Sequence, residues 1–193
     1  ENPVLELADA TVGWPGQAPV VTACTLRVSP GERVALVGPS GIGKTTVAAT
    51  LLGAIPVIAG EVTVRGRLGY LAQDAHLFAT SISENLRVGN KDATTEQIAE
   101  ALGHAHLPLP PDRVVGEAGA TLSGGEARRL ALARLLVHQA DAWILDEPTE
   151  HLDHDTAEAL MDDVWALAGR RPVLVLTHDP AVIASCERVV RLG

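Results

Sequence analysis

The stretch Gly38-Pro39-Ser40-Gly41-Ile42-Gly43-Lys44-Thr45 constrains this chain more than any other. An apolar run over residues 33–37 leads into it, and Thr46-Val47-Ala48-Ala49-Thr50-Leu51-Leu52 follows with helix-forming character. Strand, glycine loop and helix in that order are the context that G-x-x-x-x-G-K-[ST] needs before the pattern has meaning. The glycines let the backbone curl so that successive N–H groups face phosphate oxygens, and the positive end of the following helix dipole faces the same anion. On this reading Lys44 reaches the outer phosphates and Thr45 offers its hydroxyl to a magnesium ion. The plain alternative is a glycine turn that only links strand to helix, and the flanking elements count against it.

A chain of 193 residues accommodates one substantial α/β core with a subdomain, not two full domains. Its formal charge of -9 argues against a nucleic-acid footprint, which needs clustered Lys and Arg. No segment approaches the roughly 18 uninterrupted apolar residues of a membrane span; the run over 130–137 is broken by Arg134. The chain opens Glu1-Asn2-Pro3 with neither an initiator methionine nor a leader, so it reads as a piece of a longer protein, soluble by itself. Cys24 and Cys186, far apart and without metal-ligand spacing, read as buried reduced thiols.

Residues 4–8 and 20–28 have strand character, with a turn cluster between them that carries Trp14. That indole either stacks on an adenine or plugs a small core. After the first helix, 61–64 and 68–71 read as short strands joined by Arg65-Gly66-Arg67, and Gln73 falls just past a strand end, where ligands gather in open α/β sheets. Helical spacing follows over 82–86 and 95–102, with Thr94 or Thr95 as a cap, and the prolines at 108, 110 and 111 exclude a helix there. Residues 1–73 and 140–193 thus form an α/β core, and 74–139 an inserted helical subdomain.

Leu122-Ser123-Gly124-Gly125-Glu126 opens a strong helix over 127–138. Ser123 and Glu126 make a capping box. Capping does not explain two glycines, which destabilise a first helical turn, so the backbone there is expected to be closely approached. Bare amides at a helix N-terminus also suit an anion. Next, Ala142-Trp143-Ile144-Leu145-Asp146-Glu147 is an apolar strand ending in two carboxylates. Neighbours on a strand face opposite ways, so Asp146 and Glu147 have separate tasks unless the backbone has already turned. One suits a magnesium environment and the other a water attacking a terminal phosphate. A helix from Asp153 to about 168, a buried strand over 173–176, His178 just beyond its end as a candidate phosphate contact, and a strand over 188–192 complete the chain.

Leu122-Ser123-Gly124-Gly125-Glu126 upstream of Ile144-Leu145-Asp146-Glu147-Pro148-Thr149, with Gln73, Leu152-Asp153 and His178 in order around them, resembles the nucleotide-binding domain of the ATP-binding cassette (ABC) transporters over almost the whole chain. The resemblance implies an α/β P-loop NTPase fold with a mainly parallel sheet, an N-terminal antiparallel β subdomain and an inserted α-helical subdomain. It implies ATP and Mg2+ as ligands. Trp14 then stacks on adenine, and Gly38, Pro39, Ser40, Gly41, Ile42, Gly43, Lys44, Thr45 and Thr46 hold the nucleotide. Thr45, Gln73 and Asp146 serve the magnesium; Glu147 acts as general base, with His178, Gln73 and Lys44 as the other catalytic residues. Ser123, Gly124 and Gly125 would serve the nucleotide of a second ABC ATPase domain, packed head to tail as a homo- or heterodimer.

Leu77-Phe78, Ser81-Ile82-Ser83-Glu84-Asn85-Leu86 and Val115-Gly116-Glu117-Ala118-Gly119 look like the exporter branch, and Glu147-Pro148-Thr149-Glu150-His151-Leu152-Asp153 resembles the CydC/CydD exporters of cysteine and glutathione, CydC in particular. That branch implies a transmembrane domain fused upstream, a place on the cytoplasmic face of the cell membrane, and no nucleic acid. A non-transport ABC ATPase acting on DNA or the ribosome is the alternative, against which the acidic charge counts. Departures from the family's usual pattern are a short segment over 64–69, a trimmed one over 107–113, and Glu150-His151 in place of small residues.

Overall fold

The computed structural model describes residues 4–74, 76–116 and 121–192. The chain divides into two units, one comprising residues 1–70, 141–147 and 168–193, the other 71–140 and 148–167. The helical segment after Pro148, placed with the α/β core by the sequence reading, falls in the second unit.

The described residues of the first unit form two sheets. In one, β1 (Val4–Val12) lies between β2 (Val21–Val28) and β4 (Ala59–Arg65), antiparallel to both. β1 runs four residues past the expected end at Ala8, because a register shift around Asp9, whose φ is 49°, lets pairing resume. The side-chain alternation breaks there, and so does the sequence signal. The other sheet has the order β5 (Leu68–Leu71), β6 (Ala142–Asp146), β7 (Val173–Leu176), β3 (Arg33–Val37), β8 (Arg188–Arg191), with β6–β7, β7–β3 and β3–β8 parallel. β4 and β5, read from the sequence as consecutive strands, therefore belong to different sheets. Every residue of β6 and β7 is buried, as expected of central strands.

One apolar core unites both sheets with α1 (Lys44–Leu51): Leu5, Leu7 and Leu26 meet Leu36, Ile144, Leu174, Val47 and Leu51. Cys24 is buried and Cys186 half-buried, both as free thiols, and burial pushes the Cys186 thiol up to about 11. A short helix that the sequence reading lacked, α6 (Pro180–Ala184), starts at Asp179, whose carboxylate accepts from Ala181 N–H.

The second unit is helical: α2 (Ile82–Arg87), α3 (Thr95–His104), α4 (Gly124–His138) and nearly all of α5 (His154–Ala168). Thr94, not Thr95, caps α3 in a reciprocal box with Gln97. Arg134, which interrupts the apolar run of α4, donates through Nε to Asn85 O at 3.0 Å and through Nη2 to His76 O. Arg129 donates to Asp163 at 2.6 Å and to Ala105 O at 3.1 Å, with His106 Nδ1 also 3.0 Å from Asp163. No helix among the described residues is long and apolar enough to cross a membrane.

Candidate nucleotide site

Strand register sets the site. Leu36 and Asp146 both pair with Leu176, so β6 and β7 end on one row and β3 one residue past it. The segments just beyond it are the Gly38–Thr45 loop, Thr177-His178 and Glu147. Sequence positions far apart thus share the carboxyl edge of three adjacent parallel strands, the place where open α/β sheets bind ligands.

The loop is built for close approach. Gly43, at φ 117°, precedes α1 with no side-chain cap, and a Cβ there would lie 2.6 Å from Val21 Cγ2. At Gly38 a Cβ would lie 2.8 Å from Ile42 Cγ2. α1 carries no acidic residue in its first turn, so its N-terminal amides keep their partial positive charge for an anion. Lys44 arches back over the loop, its Nζ donating to Gly38 O and, at 3.4 Å, to Pro39 O. Thr45 is exposed and Thr46 buried. Trp14 is 40% exposed, and its Nε1 donates to Thr46 Oγ1 at 3.1 Å, which ties the indole to the first turn of α1. Of the two roles the sequence left open, a core plug does not fit a ring this exposed.

The two carboxylates address opposite neighbours of β6. Asp146, 5% exposed, accepts from Tyr70 Oη on β5 at 2.7 Å. Burial, and then the Asp146 carboxylate, push the Tyr70 phenol well above the ordinary tyrosine range. Glu147 has left the strand: its φ is 45°, its N–H donates to Leu176 O at 2.8 Å, and its Oε1 lies 2.9 Å from His178 Nδ1. An ionised Glu147 only accepts, so Nδ1 then carries the proton of that contact. Glu147 is 8% exposed while the His178 side chain is 66% exposed, so the imidazole is the outward face of the pair. A left-handed backbone at a non-glycine residue costs about 1 kcal/mol, and such strain concentrates at functional positions.

Gln73 and the Ser123–Glu126 segment belong to the second unit. Ser123 Oγ accepts from Glu126 N–H at 3.1 Å while Glu126 Oε1 accepts from Ser123 N–H at 2.9 Å, so the expected capping box is present. The helix starts at Gly124, earlier than expected, and takes both glycines into its first turn. Their close approach has a partner within the unit: a Cβ on Gly124 would lie 3.1 Å from Leu152 Cδ2, and one on Gly125 2.9 Å from Thr156 Cγ2. Gln73 donates its side-chain amide to Glu150. Tyr70 and Glu150, the partners of Asp146 and Gln73, were missed in the sequence because each pair spans more than 70 residues. Of the exporter-like loop, Val115 is buried and Gly116 has φ 82°, while Glu117, Ala118 and Gly119 lie outside the described residues.

A family model described as ABC transporter matches residues 21–150. The mitochondrial potassium channel ATP-binding subunit of Mus musculus is 37% identical over 187 residues, covering 86% of this chain and 26% of its own length. The glutathione/L-cysteine transport system ATP-binding/permease protein CydD of Bacillus subtilis (strain 168) is 33% identical over 211 residues, 100% of this chain and 37% of its own. The structure of a bacterial Atm1-family ABC exporter with ATP bound matches with a TM-score of 0.88 and 29% identity, over 100% of this chain and 38% of that one. The chain thus spans between about a quarter and two fifths of the length of these relatives.

Proposed function

Since the chain belongs to the ABC transporter family, as its ATPase domain, we propose that it is the motor of an exporter, hydrolysing ATP to drive a transmembrane domain fused upstream. The observation that carries this reading is the shared edge of β3, β6 and β7, where the uncapped, glycine-lined start of α1 and the Glu147–His178 pair lie just past one row of residues. The glycine cradle suits a polyphosphate, and the hydroxyl of Thr45, the carboxylate of Asp146 and the carboxamide oxygen of Gln73 are hard oxygen donors of the type Mg2+ takes. When bound, Mg2+ would neutralise charge on the phosphate oxygens.

In this reading Trp14 stacks on adenine while its N–H stays on Thr46. Gly38, Pro39, Ser40, Gly41, Ile42 and Gly43 present backbone to the phosphates, and Lys44 leaves its carbonyl partners for phosphate oxygen. Glu147 takes the proton of the attacking water. His178 holds Glu147 in place through Nδ1 and meets the terminal phosphate through its exposed side. Most of the rate enhancement comes from positioning and charge stabilisation. Ser123, Gly124 and Gly125 complete the site of a second ATPase domain packed head to tail, and the pair works at the cytoplasmic face of the membrane.

The finer step concerns cargo. The Glu147–Asp153 phrase and the likeness to CydD support a cysteine- or glutathione-type thiol. Thiols should then stimulate turnover by the full-length protein in vesicles; stimulation by lipid alone would remove this assignment. For the motor itself, Glu147→Gln in the full-length protein should keep ATP binding and lower phosphate release about 10²- to 10⁴-fold. Near-normal release removes Glu147 as the base, and a wild-type protein that neither binds nor hydrolyses ATP overturns the proposal.

A further inference from the structure

Gln73 is held twice within the second unit. Its backbone is fixed by Arg128 on α4, 7% exposed, whose Nη1 donates to Ala72 O at 3.0 Å and also to Gln73 O. Its side chain is fixed separately, Nε2 donating to Glu150 Oε2. A primary carboxamide has two orientations of nearly the same shape and opposite chemistry, and an ionised carboxylate accepts only. Glu150 therefore selects the orientation with the NH2 group toward itself and leaves the carbonyl oxygen Oε1 facing away. That oxygen is the atom a hard cation, or a hydrogen of water, requires. Serine or alanine at 150 makes no such selection, since a hydroxyl both donates and accepts and a methyl does neither.

Glu150 is well placed to hold its own position. It lies on a turn closed by Leu152 N–H to Thr149 O at 3.1 Å, next to His151 at φ 64°, and that turn follows Glu147 by three residues. A cavity of about 250 Å³, lined by Gln73, Arg128, Glu150 and Leu152 among others, adjoins the pair, so the carboxamide has room to turn once the carboxylate is gone.

We propose that Glu150 is a positioning residue for Gln73: its carboxylate orients the carboxamide so that Oε1 is the atom presented to metal and water. The inference rests on the role of Gln73 in the proposed ATPase. The test uses the full-length protein in its assembled form, with ATP turnover measured against Mg2+ concentration and, separately, Mg2+ affinity measured by calorimetry with a non-hydrolysable ATP analogue bound. Glu150→Ala should lower kcat about tenfold, as loss of an outer partner to a metal-directed side chain does, and raise half-saturating Mg2+ severalfold with KM for ATP within twofold. Glu150→Gln, whose carboxamide donates as well as accepts and so selects neither orientation, should show a loss of the same sign. In a Gln73→Ala background, adding Glu150→Ala should change neither parameter by more than twofold. Should Glu150→Ala not fold, Glu150→Asp, which keeps the charge but withdraws it by one methylene, should show a loss of the same sign that also vanishes in the Gln73→Ala background. Wild-type turnover in Glu150→Ala, or a loss that persists without Gln73, overturns the inference alone. Absence of hydrolysis by the wild-type protein overturns the motor reading on which it stands.

Discussion

The carboxyl edge of β3, β6 and β7 and the N-terminus of α4 both carry motif residues, and they differ in what the fold itself asks of those residues. At α4 each has a local task. Ser123 and Glu126 cap one another, and Gly124 and Gly125 make room for Leu152 and Thr156. At the strand edge the local account falls short. Glu147 is nearly buried in a left-handed conformation, α1 begins without a cap, and Trp14 stays well exposed although its N–H is bonded. Where packing and capping already account for residue types, those types alone are weak grounds for a ligand. Strain and uncapped amides are stronger grounds.

The sharpest way to break that contrast is a pair of substitutions. Lys44→Ala should cost the chain more than tenfold in ATP affinity, with little change in melting temperature, because among the described residues Lys44 bonds only loop carbonyls. Ser123→Ala should do the reverse: about 1 kcal/mol of stability lost with the N-cap, and ATP affinity of the single chain unchanged. Isothermal titration and thermal melting on both variants check this. A loss of affinity in Ser123→Ala would show that the signature segment serves its own chain's nucleotide.

Two smaller effects separate the units by pH. In the helical unit, partial burial pushes Asp163 up, but the hydrogen bonds and charges of Arg129 and His106 outweigh it and hold the carboxyl below the usual range. A depressed folded value stabilises above the unfolded pKa and is lost as pH falls through the folded one. Asp163→Asn should therefore cost about 1 kcal/mol near neutrality, a difference that shrinks below about pH 4 in melting curves. At the strand edge Tyr70 works in the opposite sense. Its raised value means stability present below the unfolded pKa of about 10 and lost as pH climbs toward the folded one. Tyr70 is the chain's only tyrosine, so phenolate absorbance reports it alone. It should stay absent in the folded chain at pH 10 to 11 and appear only on unfolding. An ordinary titration there would break the Tyr70–Asp146 contact.

What was legible in the sequence was local. The glycine loop with its flanks, the capping box, the apolar strand ending in Asp146 and Glu147, and His178 past a second strand each sit within a few consecutive residues, where periodicity and turn chemistry act. What was not legible depended on strand order. Tyr70 meets Asp146 only because β5 is the neighbour of β6, and the tie between Gln73 and Glu150 likewise joins distant segments. The extension of β1 past Ala8 was hidden by the shift at Asp9. α6 had a readable signal in Asp179 followed by Pro180, a capping residue and a proline at the first helical position, but only five helical residues to support it.

The glycines of α4 give the finest test of the contrast, because two physical effects of opposite sign meet at Gly125. Alanine in a helix is favoured over glycine by up to about 1 kcal/mol, less in the first turn, while a Cβ here would lie 2.9 Å from the Thr156 methyl and cost about 1–3 kcal/mol of displacement. Gly125→Ala alone should therefore be neutral to destabilising. Thr156→Ser removes that methyl and keeps the hydroxyl that bonds Asp153 Oδ2 at 2.7 Å. In the Thr156→Ser background Gly125→Ala should become stabilising by about 0.5 kcal/mol, a reversal of sign measurable by chemical denaturation. If the sign does not reverse, the Thr156 methyl is not what excludes a side chain at 125, and the glycine must be explained by something that reaches it from outside the chain.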